Sequence, residues 1–351
     1  MAIFYEAEVP IEALNAFVRE LPMDSNLGLS NLFPTEFHDD NKVSFAELTR
    51  TNRVAQYRSF DGRVHVSSRD GASEGEIGLL PLSSSLNMGE YERLQLEFAR
   101  TGGTNVRLME NAIYRDAEQL VGEVRNRVEL AWGDVLSDGV LTIAEGGLGG
   151  TAGTLDFGVP GDQKVTVTTG WSDPDAGTPL SDLQAIVDAY VDRNGFAPGG
   201  ILTPNVVQRR LRRSKEIIEA LYGTTSGRNN VRMDEVADLL SSELQGIDLL
   251  LPYDSSFSVN GVTTRTLPAD KVILLPPNVA DLGHTAYGVT VTALELMRST
   301  KVEFSFEDAP GIVGIVNKSD GIPFRQDVQV DAVAMPVLTR PELLAIVDSE
   351  P

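Results

Sequence analysis

Between Val106 and Val135 apolar residues fall at Val106, Met109, Ile113, Ala117, Leu120, Val124, Val128, Ala131 and Val135. Steps of three and four residues put all nine on one stripe of an α-helix. From Thr104 to Leu136 that helix would span roughly 48 Å, longer than a small domain needs. Thr104 or Asn105 offers a cap at its start, and Ser137-Asp138-Gly139 a stop at its end. Before it, RTNRVAQYRSFDGRVHVSSRDG alternates short polar and apolar residues around Asp61-Gly62, a pair suited to a tight turn between antiparallel strands. This hairpin has too few large apolar residues to bury itself. A hairpin arm beside a long helical strut predicts a part that reaches other copies of the same chain.

The remaining pattern mixes both periods. Pro10 opens a predicted helix to Glu20 with Ile11, Leu14, Phe17 and Val18 on one face. The segment LPMDSNLGLSNLFPTEFHDDN has no helical period, yet Leu21, Leu27, Leu29, Leu32, Phe33 and Phe37 are too apolar for open solvent, so it reads as a docking arm. A helix is predicted over Met88–Arg100, broken by Thr101-Gly102-Gly103. Strands follow at VLTIAE and DQKVTVTT, with GGLGGTAGTLDFGVPG as a loop between them. Thr178-Pro179 and Thr203-Pro204 start helices running to about Arg193 and Tyr222, and a third spans Asp234–Leu244. Strands return at DLLLPY, around a turn at Asn260-Gly261, and at KVILLP, AYGVTVT, GIVGIVN, FRQDVQVDAVAMPVL and LLAIV. This order is α+β, without the alternation of a doubly wound or barrel fold.

Charge narrows the partners. The net charge of −22 over 351 residues opposes general nucleic-acid binding, which needs a cationic surplus. The 29 basic residues include only six lysines, and arginine suits oriented pairing with carboxylates at interfaces. With no cysteine, thiol chemistry and disulfides are excluded. The N-terminus lacks a signal-peptide pattern and no run reaches the ~18 apolar residues of a membrane span, so a cytoplasmic, membrane-free protein is expected.

Candidate chemistry is sparse. His38 lies in His38-Asp39-Asp40, but the sequence places no second ligand cluster beside it, so a solvated or capping role is expected. His65 and His284 have no sequence-defined partner. The loose Gly147-x-Gly149-x-x-Ala152 run does not open a helix, as a dinucleotide fingerprint must, and reads as a surface loop. There is no P-loop and no GxSxG elbow. Arg209, Arg210, Arg212, Arg213 and Lys215 form the strongest basic cluster, but without interleaved aromatics they read as a helix face that pairs with acids of the same or a neighbouring subunit. Hence no catalytic residue, cofactor or metal is expected.

Short motifs in a fixed order carry a family resemblance. TGWSDPDAGTPLSDLQAIVDAY resembles the Trp-Ser-Asp-Pro…Pro-Leu-Asp-Leu segment of lambda-type tailed-phage major capsid proteins. Leu267-Pro268-Ala269-Asp270-Lys271-Val272 and Gly283-His284-Thr285-Ala286-Tyr287-Gly288 are similar to that family's Leu-Pro-Asp…Tyr-Gly block, and DAVAMPVLTRPELLAIVD to its closing strand. The resemblance implies an α+β Hong Kong 97-type capsid fold. Its parts would be an N-terminal arm (1–45), an E-loop hairpin (46–85), a peripheral domain (86–176) with a spine helix at about 104–137, an inserted apical domain (177–300), and a return to the peripheral domain (301–351).

The function so implied is a major capsid protein that self-assembles, as hexamers and pentamers, into the icosahedral head shell around phage DNA. Interface candidates are Arg50, Arg53, Arg58, Arg63 and Arg69 on the E-loop, pairing with acids of a neighbour, and Leu29, Leu32, Phe33 and Phe37 on the arm, docking on adjacent copies. Residues 46–85 contain no lysine, so the crosslink donor of the Hong Kong 97 type is missing and non-covalent contacts are expected. No charged helical segment precedes the arm, so scaffolding should come from a separate chain or be unnecessary; portal and decoration proteins are the other expected partners. The alternatives are an encapsulin-like shell, which would hold a cargo protein, and, from another class, a soluble hydrolase with an unrecognised site.

Overall fold

The computed structural model describes residues 2–3, 9–39, 41–48, 72–91, 106–144, 152–224, 227–249, 252–305, 308–319 and 325–351. Its N-terminal segment is built into its own subunit. A two-residue strand β1 (Ala2–Ile3) is followed by α1 (Ile11–Glu20), whose buried Ile11, Leu14, Asn15 and Val18 confirm the apolar face except at Phe17. A short helix α2 (Gly28–Leu32) and strand β2 (Thr35–Phe37) come next. Strands β3 (Lys42–Leu48) and β4 (Ala72–Gly78) pair antiparallel from Lys42↔Gly78 to Leu48↔Ala72. The arm tip and its Asp61-Gly62 turn lie outside the described residues. Strand β5 (Pro81–Met88) includes the first residue of the helix predicted over 88–100; Glu90 and Tyr91 are helical, and residues 92–100 lie outside the described residues.

The long helix α3 runs Val106–Asp138. Of the predicted stripe, Ile113, Ala117, Leu120, Val124, Val128 and Val135 are at most 3% exposed, and Ala131 is half-buried. The helix stops where expected: Gly139 takes φ +78°, and its N–H donates to Val135 O at 2.8 Å. Strand β6 (Val140–Ala144) then pairs with β7 (Ala152–Asp156). The second of these was expected to be loop. Its Ala-Gly-Thr-Leu-Asp sequence has little strand character of its own, and the open edge of β6 supplies the partner.

Downstream are β8 (Lys164–Thr166), α4 (Pro179–Asn194), β9 (Gly200–Leu202), α5 (Asn205–Leu211), α6 (Lys215–Tyr222), α7 (Met233–Glu243) and β10 (Asp248–Leu249). The single helix expected over 204–222 is thus two, because Lys215 N–H donates to Pro174 O at 2.8 Å and turns the chain at Ser214. Strands β11 (Ser256–Val259) and β12 (Val262–Arg265) form the predicted hairpin, with Asn260 and Gly261 at φ 51° and 82°. Strand β13 (Lys271–Leu275) and β14 (Gly283–Gly288) lead to α8 (Val291–Arg298), where a strand was expected. Thr290 overrides the β-branched run there: its Oγ1 accepts from Ala293 N at 3.0 Å and caps a helix. The chain closes with β15 (Ile312–Ser319), β16 (Arg325–Leu338) and β17 (Ala345–Asp348).

Two sheets organise these elements. In the larger, the order is β1-β15-β16-β14-β2, with β5 also paired to β16. The 14-residue β16 is its axis, pairing with β15 and β5 along its first part and with β14 along its last six residues. Helix α3 lies on this sheet. Its first half packs Ile113, Leu120 and Val124 with Leu14, Val18, Val316, Val328 and Val330, and its second half packs Val128, Trp132, Val135 and Leu136 with Leu29, Phe33, Ala286 and Val337. The smaller sheet, β10-β9-β13-β17-β8, is covered by α4, α5, α6 and α7. The sheets divide the chain differently from the expected boundaries. Strand β14 and helix α8, expected in the apical insert, belong with the larger sheet, and β17, expected in the peripheral return, lies inside the smaller one.

One glycine fixes how closely α3 meets the segment between β12 and β13. A Cβ on Gly133 would overlap Thr266 O and crowd its Cγ2. Alanine normally favours a helix over glycine by about 1 kcal/mol, but at this contact Gly133→Ala is expected to destabilise the subunit by about 1–3 kcal/mol through overpacking. A urea midpoint equal to or above wild type would refute this.

Candidate functional site

The hairpin base is anchored by Val43 and Ile77, both buried in the core beneath the second half of α3. From there the β3–β4 ladder continues for roughly 20 Å at about 3.4 Å per residue. Arg50, Arg53, Arg58, Arg63 and Arg69 lie beyond its end and outside the described residues.

The four arm candidates separate. Leu29 and Phe33 are 1% and 2% exposed within their own subunit, and Leu32 is half-buried against the same cluster. Expecting these residues to dock on adjacent copies is therefore corrected: their apolar surface is spent on α3 of the same chain. Phe37 remains 63% exposed on β2, its ring tilted against Tyr287. Among the described strands, β2 pairs only with β14 and so forms a sheet edge.

The seating of α2 explains why the arm stays home. Glu129, on α3 and 0% exposed, accepts from Leu29 N at 2.8 Å, from Ser30 N at 2.7 Å and from Ser30 Oγ. These are orphan donors at the start of a helix, where a carboxylate is favoured. Tyr253 OH also donates to Glu129, and burial together with that bond pushes the phenol's pKa up, so it stays protonated and able to donate. Next to it Trp132 stacks on Phe33, centroids 3.7 Å apart, and donates through Nε1 to Thr285 Oγ1 at 2.8 Å. Nothing in the sequence marked Glu129 among 51 acids.

The Trp171 segment is a junction. Trp171 N–H donates to Ser349 O and its Nε1–H to Asp182, both at 2.9 Å. Ser172 N–H donates to Glu350 at 3.0 Å, and Glu350 pairs with Arg210 at 3.0 Å. Glu216 in turn accepts from Leu180 N and Ser181 N at the start of α4. The basic cluster therefore pairs in part within its own chain: Arg210 meets Glu350, and Arg212 Nε donates to Val231 O at 2.9 Å.

His38 departs in part from expectation: the residue is partly exposed, but its Nε2 is buried without a hydrogen-bond partner, and its ring centroid lies 5.8 Å from that of His284. His65 lies outside the described residues. Burial lowers the His284 pKa, with Glu36 opposing the shift and His38 adding to it.

Comparison with known proteins places this architecture. The profile of the family described as Phage major capsid protein E matches residues 11–349. The chain belongs to that family. It has the α+β Hong Kong 97-type capsid fold and is a shell-forming capsid protein. Among solved structures, a protein assigned as a prophage capsid protein of E. coli CFT073 superposes with TM-score 0.62 at 16% identity, covering 97% of this chain and 99% of the other. A phage-related protein of Bordetella bronchiseptica RB50 gives TM-score 0.55 at 13% identity, with 98% of each chain covered. A comparison with curated proteins gave no match. As a capsid subunit the chain works as many copies, its role is structural and its place is the virion. No described helix is long and apolar enough to cross a membrane.

Proposed function

We propose that this capsid protein forms hexamers and pentamers of an icosahedral head that encloses phage DNA, held together without covalent links between subunits. The supporting observation is the family match over residues 11–349, joined to a β3–β4 ladder that brackets the arginine-rich segment. On this reading Arg50, Arg53, Arg58, Arg63 and Arg69 pair with carboxylates of a neighbouring copy, and Phe37 on the β2 edge is the arm residue left to touch one. Each exposed ion pair contributes only about 0–1 kcal/mol, so a shell gains its stability by repeating many such contacts alongside apolar burial. The chain's charge of −22 keeps packaged DNA from adhering to the wall. A portal protein is its expected partner, scaffolding and decoration proteins are further partners where the shell needs them, and assembly takes place in the host cytoplasm. The encapsulin reading has less support and predicts a cargo protein in purified particles, where the phage reading predicts DNA and a portal.

Electron microscopy of the purified chain tests the assembly. Uniform closed shells are expected from wild type, and persistent monomers under all assembly conditions would sink the proposal. Replacing Arg58, Arg63 and Arg69 together with alanine should abolish shells while leaving circular dichroism and thermal unfolding of the subunit unchanged. An unfolded subunit would instead assign that segment to a core.

A further inference from the structure

Strand β2 runs parallel to β14 with Glu36 opposite Ala286. Since side chains alternate along a strand, His284 lies on the same face as Ala286 and Glu36. His38 N–H donates to Tyr287 O at 2.7 Å, which holds the chain leaving β2 against the end of β14. Two histidines separated by most of the sequence are thereby brought together beside one carboxylate. Glu36 Oε2 is 3.5 Å from His284 Nε2, and one ligand atom from each of Glu36, His38 and His284 lies within 4.8 Å of the others.

The surroundings favour a cation. Nε2 of both histidines is buried without a hydrogen-bond partner, a desolvation cost that a metal bond would remove. His284 is 8% exposed, His38 is partly exposed and Glu36 is exposed, so the cluster is walled at His284 and open toward the carboxylate. His284 Nδ1 faces Thr339 Oγ1 at 3.4 Å, the arrangement in which the second ring nitrogen is oriented by an outer partner while Nε2 presents its lone pair. Ligands about 2.0–2.1 Å from a tetrahedral zinc stand roughly 3.3 Å apart, so the Glu36–His284 pair already has the spacing, and a rotation of the partly exposed His38 ring has to close the remaining gap.

We propose that Glu36, His38 and His284 form a binding site for a divalent transition-metal cation. Two imidazoles and a carboxylate match zinc best, with water from the open side as fourth ligand. The cation would clamp the edge strand β2 to β14, fixing the segment that joins the N-terminal helices to the base of the β3–β4 hairpin. The inference rests on side-chain geometry within one subunit and is independent of how shells assemble.

The test uses the full-length, untagged subunit stripped of metal with a chelator and titrated with Co2+ and then Zn2+. One equivalent of Co2+ per chain is expected, with the visible absorption of a four-coordinate site that Zn2+ abolishes, and Zn2+ should raise the Tm. His38→Ala and His284→Gln should each weaken Zn2+ binding by at least ~10-fold and remove the Tm response. If His284→Gln fails to fold, His38→Ala at its less buried position decides alone. Absence of saturable binding, or binding and Tm response unchanged in the histidine variants, overturns the proposal and leaves a histidine–carboxylate contact without metal.

Discussion

Glu129→Ala is expected to destabilise the unassembled subunit by about 3–5 kcal/mol, since several buried donors lose their acceptor at about 1–3 kcal/mol each, part of which relaxation recovers. The cause is what it leaves behind. Leu29 N, Ser30 N, Ser30 Oγ and Tyr253 OH all donate to this carboxylate, and the first two are helix-start donors with no intrahelical acceptor. Glu129→Gln should also lose stability, since its amide N–H group would face donors. Chemical denaturation of the subunit checks both, and a loss below about 1 kcal/mol for alanine would show that water or a rearranged α2 satisfies these groups.

Trp132→Ala should cost a similar ~3–5 kcal/mol through the cavity it opens. This fully buried indole joins three elements: Phe33 after α2 by stacking, Thr285 of β14 by its Nε1–H, and α3 that carries it. Trp132→Phe separates the contributions. It keeps an aromatic face for Phe33 and loses the hydrogen bond to Thr285, so the expected loss is smaller, about 1–2 kcal/mol. If phenylalanine proves as damaging as alanine, the polar link matters more than the stack. Both positions predict the same secondary symptom, protease cleavage around residues 21–34 once the arm is no longer held to α3.

Where one helix or turn decides its own form, the sequence was readable. The stripe of α3, its Gly139 stop and the Asn260-Gly261 hairpin depend on local spacing and on residues that tolerate positive φ. Where a distant segment decides, it was not. Ala152–Asp156 becomes a strand because β6 lies alongside, and residues 212–214 break a helix because Pro174 captures the Lys215 N–H. The candidate site shows the same split. The arginine-rich hairpin stands out by composition, whereas Leu29 and Phe33 read as unclaimed apolar residues only until Glu129 and Trp132 are seen to claim them. His38 lacked a ligand partner in sequence because its neighbour, His284, arrives from the far part of the chain through a parallel strand pair.

The position of β17 sets a clock on the newborn protein. It sits between β13 and β8, so until Ala345–Asp348 has left the ribosome β8 has no partner and β13 shows an open edge. The Trp171–Ser349 and Ser172–Glu350 bonds close later still. A polysome carrying many half-made copies therefore holds chains whose smaller sheet is unfinished. Such copies lack the finished sheet that the complete subunit presents.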